Sequence, residues 1–147
     1  WFSTPALDKN TLSKLAAIQL FTESKDQGWI TNPWSASYRW FDLVVLSSPN
    51  DTKPKIVDGL ELAWRSHSNR VGVDEFEVLD GFVFDSTHDL FGLLEEGNAI
   101  GVQVSCRFAG WENKANDGCL KLRFSATSNL HFSYLSSYTS DEYPKRN

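Results

Sequence analysis

The strongest constraint on what this chain can fold into is the run from Asn98 to Phe124, which holds two period-two alternations separated by a polar loop. Ile100, Val102, Val104, Cys106 and Phe108 share one face of the first; Gly101, Gln103, Ser105 and Arg107 share the other. In the second, Leu120, Leu122 and Phe124 oppose Cys119, Lys121 and Arg123. Alternation at this period is a strand with one wet and one buried side. The intervening Gly110–Gly118 carries Trp111, Glu112, Asn113, Asn116 and Asp117, so the stretch predicts an antiparallel hairpin with a decorated loop.

More strands follow the same logic. Ile18–Thr22 reads as a strand, and Tyr38–Leu46 is apolar on both faces after Asp42, as a central strand is. Leu60, Leu62 and Trp64 alternate with Glu61, Ala63 and Arg65. Within Val73–Phe84, Asp80-Gly81 is either a tight hairpin turn or a bulge in one long strand. Leu130–Leu135 adds a last strand. Helical signals are short: one opening near Thr11 under Asn10 or Thr11, and one from a cap at Asp89 to Gly97. Trp40 and Trp64, inside strands, are expected in the core.

Short strands at this spacing predict an all-β, antiparallel β-sandwich of jelly-roll, galactose-binding-like type with one or two helical turns. A chain of 147 residues suits a single domain, with a lead-in over residues 1–16 and a fraying tail over 136–147. Six Trp and ten Phe suit a sandwich core and its loops. The net charge of −5 argues against a nucleic-acid or anionic-membrane surface, and no apolar run reaches the roughly 18–20 residues of a membrane helix. Cys106 falls on the apolar phase and Cys119 on the polar one, so a direct bridge across the hairpin is disfavoured and free thiols are expected. Free thiols suit a reducing, cytoplasmic compartment; a secreted chain whose leader has been removed is the alternative.

Three pieces, Thr22-Glu-Ser-Lys-Asp-Gln-Gly-Trp29, Tyr38-Arg-Trp-Phe41, and Gly97-Asn-Ala-Ile-Gly-Val continuing to Arg107-Phe-Ala-Gly-Trp-Glu-Asn113, carry a resemblance. Together they resemble a β-rich domain of many fungal proteins, over roughly residues 17–126. More distantly the arrangement is similar to the jelly rolls of plant phloem lectins and F-box-associated sugar-binding domains, which implies glycan binding. No sugar-site motif of those families matches residue by residue.

Sites of reaction chemistry have little support. His67, His88 and His131 are isolated, without metal-ligand spacing. Ser86-Thr-His-Asp89 places nucleophile, base and acid side by side in sequence, whereas a triad is assembled in space. Glu95 and Glu96, on one helical turn, point apart. The two aromatic loops carry more. A sugar offers a C–H face to an aromatic ring and hydroxyls to neighbouring polar groups. Asp26, Gln27, Trp29, Asn32 and Trp34 have that composition, as do Trp111, Glu112, Asn113, Asn116 and Asp117. The competing reading makes Trp29 and Trp111 loop anchors packed into the core.

The expectation is therefore a non-catalytic, lectin-like module. Trp34 or Trp111 would stack a sugar while Asp26, Asn32, Asn113 or Asp117 bonds its hydroxyls. It would need no cofactor, and its partner would be a glycan or glycoprotein. The alternatives are a protein-interaction domain of a larger fungal protein and a membrane-active defence protein. Edge strands of sandwiches often pair into homodimers, though nothing in the sequence identifies a usable edge.

Overall fold

The computed structural model describes residues 1–26, 37–108 and 113–125, and the backbone of 132–136. It is an all-β antiparallel sandwich. In chain order the elements are β1 (Phe2–Ser3), α1 (Lys9–Lys14), β2 (Leu15–Lys25), β3 (Arg39–Leu46), β4 (Ile56–Val57), β5 (Leu60–Glu61), β6 (Ala63–Ser68), β7 (Glu77–Asp85), α2 (Asp89–Leu93), β8 (Ala99–Cys106), β9 (Lys114–Phe124) and β10 (Phe132–Ser136). One sheet has the order β1-β8-β3-β6 and the other β10-β9-β2-β7. The chain changes sheet between β1 and β2, β2 and β3, β6 and β7, β7 and β8, and β8 and β9, the wiring that double-sheet jelly rolls use.

The alternations around residues 100–124 are strands, but they do not pair as a hairpin. β8 lies in the first sheet between β1 and β3, and β9 in the second between β2 and β10. Both strands were apolar on one side for the same reason: each faces the common core from its own sheet. The segment joining them crosses between sheets rather than turning within one. Cys106 and Cys119 are free thiols, and their separation into different sheets accounts for this more directly than strand phase.

Ile18 and Leu20 of β2, Leu120 and Leu122 of β9 and Phe84 of β7 meet Phe41, Leu43 and Val45 of β3 and Ile100 and Val102 of β8. Each side chain buried this way contributes about 1.5–3 kcal/mol. Leu7, Leu15 and Leu90 close one end of the core, where α1 and α2 lie. The cap of α1 is Asp8, whose carboxylate accepts from Thr11 N–H at 2.6 Å, rather than Asn10 or Thr11. That hydrogen bond draws the carboxyl below its ordinary range. α1 ends at Lys14, with β2 already paired through Leu15 to Phe124. His88 Nδ1, not Asp89, caps α2 by accepting from Leu90 N–H at 3.1 Å. α2 ends at Leu93, so Gly97, at φ +89°, serves the turn into β8 instead of the helix end.

Asp80-Gly81 is a bulge in one long strand. Gln19 pairs with Val83 and Phe21 with Asp80, so Gly81 and Phe82 together oppose Leu20. Leu60 is corrected from a half-buried strand position to an exposed one: Asp58 and Gly59, at φ 52° and 79°, form a two-residue turn between β4 and β5. Trp64 packs on the core as expected. Trp40 does not. It is half-buried on the outer face of its sheet, under the Arg65 guanidinium at 4.3 Å, and its indole N–H donates to Asp42 Oδ2 at 2.7 Å. Asp42 also accepts from Ser105 Oγ at 3.1 Å; burial raises its pKa while these two bonds and Arg65 oppose the rise.

Candidate functional site at the loop end

At the end opposite the helices, β2 finishes at Lys25 beside Lys114, the first residue of β9, and β3 starts at Arg39 beside Cys106, the last of β8. The segments rich in Trp and polar residues, 27–36 and 109–112, thus leave and re-enter the sandwich at one end. Their stems touch: Arg107 N–H donates to the Tyr38 carbonyl at 3.0 Å, and the Tyr38 and Phe108 rings meet edge to face at 5.2 Å. Trp34, Asn32 and Trp111 lie outside the described residues, as do Trp29 and Glu112.

The expected ligand residues that are described have other engagements. Asp26 is buried, paired with the buried Arg39, and accepts from Gly72 N–H at 3.0 Å; its own N–H donates to the Val73 carbonyl at 3.2 Å. Burial draws the Arg39 pKa down from its ordinary value. The pair ties the start of one loop, the start of β3 and the turn before β7 together. Asn113, half-buried, donates to the carbonyls of Trp40 at 3.1 Å and Ser105 at 3.4 Å, and its Oδ1 accepts from Asn69 Nδ2 at 2.8 Å. Asp117 sits within β9 opposite Glu23, where its Oδ1 accepts from Gly118 N–H at 2.8 Å. Asn116 Nδ2 donates to Glu23 at 2.8 Å. The structure therefore brings Asp26 and Asn113 together beneath the loop stems and leaves Asp117 on the sheet.

Beneath the stems runs a chain of buried and half-buried polar groups, of which sequence reading had weighed only His67 and Asn113, each for another role. Ser66 Oγ and His67 Nδ1 are 3.1 Å apart, and His67 Nε2 and Thr22 Oγ1 are 2.8 Å apart. Thr22 Oγ1 meets Ser24 Oγ at 2.9 Å, and Ser24 donates to Asn69 Oδ1 at 2.8 Å. Asn69 Nδ2 donates to the Lys25 carbonyl at 2.9 Å and to Asn113. Thr22 and Ser24 belong to one sheet and Ser66 and His67 to the other, so these bonds link the sheets where apolar packing gives out. Each bond contributes about 1 kcal/mol, and stranding a buried partner costs about 1–3 kcal/mol. The signal was available in β2: Thr22 and Ser24 continue the inward phase of Ile18 and Leu20 as buried polar residues.

His67 stacks on Phe41 with ring centroids 5.0 Å apart, and burial lowers its pKa from 6.5 to about 4, with Asp80 opposing the shift. Above pH 6.5 the ring is neutral in both folded and unfolded chains. Between 6.5 and about 4 the unfolded chain takes up a proton that the folded chain refuses, so stability falls as pH falls through that window. After allowance for solvent screening the loss is about 1–2 kcal/mol. Urea midpoints measured from pH 7 to pH 4 should drop more steeply in the native chain than in His67→Gln. Parallel curves would show that His67 carries no such penalty. Nucleophile and base are in contact at Ser66–His67, yet Ser66 is buried and the Gly81 backbone lies directly over the pair. The arrangement joins sheets.

Among the described residues, no group of three or more His, Cys, Asp or Glu side chains could hold a metal ion, and no helix is long and apolar enough to cross a membrane. No family model, curated protein or solved structure matches the chain.

Proposed function

We propose that the chain is a non-catalytic binding module, lectin-like in class, whose ligand site is formed by residues 27–36 and 109–112 on the frame beneath them. The observation that carries this reading is that both segments spring from adjoining stems, held by the Asp26–Arg39 pair and the Asn69–Asn113 bond. A frame of inter-sheet hydrogen bonds fixes the bases of loops whose composition, aromatic rings among amides and hydroxyls, suits a sugar. Trp34 and Trp111 supply stacking surfaces, and Asn32 supplies a polar group for the hydroxyls. Asp26 and Asn113 act as supports for the loops. The resemblance to phloem-lectin and F-box-associated jelly rolls points to the same ligand class, and no cofactor is required.

A glycan array read beside intrinsic Trp fluorescence tests the reading. A saturable hit should quench Trp emission, and Trp34→Ala or Trp111→Ala should weaken it about tenfold, the value of one aromatic stacking contact. A blank array from folded protein would remove the glycan reading. A protein-interaction role is favoured by a separate observation, on β7.

A further inference from the structure

Among the described residues β7 ends the second sheet, with β2 on one side and no strand on the other. From residue 74 to residue 89 the chain reads Asp-Glu-Phe-Glu-Val-Leu-Asp-Gly-Phe-Val-Phe-Asp-Ser-Thr-His-Asp, with six carboxylates and no Lys or Arg. The same stretch holds Phe76, Val78, Phe82 and Val83, all large apolar residues left exposed; Val78 is 73% exposed and Phe82 57%. Acids and apolar side chains are thus interleaved along one edge of the molecule.

Ion pairs compensate the charge at the Asp74–Glu77 end, and at the other end Arg123 lies near enough to act on Asp85. Lys25 pairs with Asp74 at 3.2 Å and lies over the Phe76 ring at 5.0 Å, and Arg70 pairs with Glu77 at 2.8 Å. Among the described residues no ion pair reaches Asp80, Asp85 or Asp89. Beside Asp85 and Asp89 lies an open depression of about 270 Å³, lined also by Phe82, Val83, Thr87 and His88. Asp85 accepts from both the N–H and the hydroxyl of Thr87, at 2.9 and 2.6 Å, which keeps its carboxylate charged and aimed. His88 sits edge-on to Phe84 at 4.8 Å and Trp64 at 5.7 Å, which leaves Phe82 as the exposed ring of the group.

We propose that this edge is a docking surface for a basic protein segment in extended form, with Lys or Arg alternating with apolar residues. One cationic side chain enters the depression against the Phe82 ring, between Asp85 and Asp89. The apolar residues of the segment cover Val78 and Val83, and a further cation meets Asp80. Charge complementarity selects this occupant. A second copy of the chain would bring carboxylates against carboxylates, and an anionic membrane would be repelled likewise. A bare apolar edge would attract any strand; an acidic one admits a basic strand and rejects its own kind. The depression at Asp85–Asp89 lies toward the opposite end of β2 from the loop stems and does not rest on the glycan reading.

The test is fluorescence anisotropy of a short labelled peptide alternating Lys and Val, beside a Glu–Val peptide of equal length, titrated with the intact chain. Saturable binding of the Lys–Val peptide alone is expected, weakening as salt is raised. Asp80→Lys combined with Asp89→Lys should weaken binding about tenfold or more, and so should Phe82→Ser. Circular dichroism keeps loss of folding apart from loss of binding. Should the charge-reversed chain fail to fold, Phe82→Ser and the salt dependence of the native chain still decide. Hydrogen exchange should slow across residues 77–89 in the complex. Equal binding of the two peptides, no binding, indifference to salt, unchanged affinity in both variants, or protection confined to other strands would each overturn the proposal.

Discussion

Arg39→Ala is expected to lower the stability of the chain by about 3–5 kcal/mol, because it leaves the Asp26 carboxylate buried without its counter-charge. The two side chains are nearly inaccessible, and Asp26 also holds Gly72, so the loss extends across the whole loop end. The pair as a whole need not be worth as much as its rupture costs. Asp26→Asn with Arg39→Met removes both charges, fills similar volume, and should recover most of the deficit. Urea denaturation of the single and double variants checks both statements. A loss under about 1 kcal/mol for Arg39→Ala would mean that the pair is hydrated in solution.

Gly81→Val is expected to cost about 3 kcal/mol, at the upper end for overpacking. A Cβ at this position would lie 2.0 Å from Ser66 Oγ, 2.7 Å from the Leu20 carbonyl and 2.9 Å from His67 Nδ1. The Ser66 hydroxyl can rotate aside, but the Leu20 carbonyl is backbone of the central strand β2 and cannot. Ser66→Ala placed in the Gly81→Val chain should therefore rescue only part of the loss. Gly92→Ala is the control: nothing lies within 4 Å of its added Cβ, and in α2 alanine is the better helix former. Thermal melts should put Gly92→Ala at or above the native chain and Gly81→Val well below it. Equal melting of the two variants would mean that the bulge opens freely.

The fold class was legible because alternation is local. Ile100 and Val102, like Leu120 and Leu122, announce a strand with one buried side whatever lies across from them. Partnership is not local, and for that reason β8 and β9, adjacent in sequence and similar in pattern, looked like a hairpin while belonging to different sheets. Trp40 misled for a related reason: a strand has two faces, and the Asp42 and Arg65 that solvate its ring come from the outer one. The Asp58-Gly59 turn was readable by its dipeptide, yet the apolar series Leu60, Leu62 and Trp64 outweighed it. At the loop end the clustering of two polar-aromatic segments was half visible in composition. Their common origin needed the crossing of the sheets. The use of Asp26 and Asn113 as fasteners depends on Arg39 and Asn69, partners distant in sequence that no spacing rule could supply.

The polar chain through Thr22, Ser24, His67, Asn69 and Asn113 ends on the backbone carbonyls of Lys25, Trp40 and Ser105. Those carbonyls belong to β2, β3 and β8, so one set of side chains fastens strands of both sheets. A scaffold fastened in this way holds the end of the sandwich through bonds made below the loop stems. Substitutions at residues 27–36 or 109–112 leave every partner in those bonds in place.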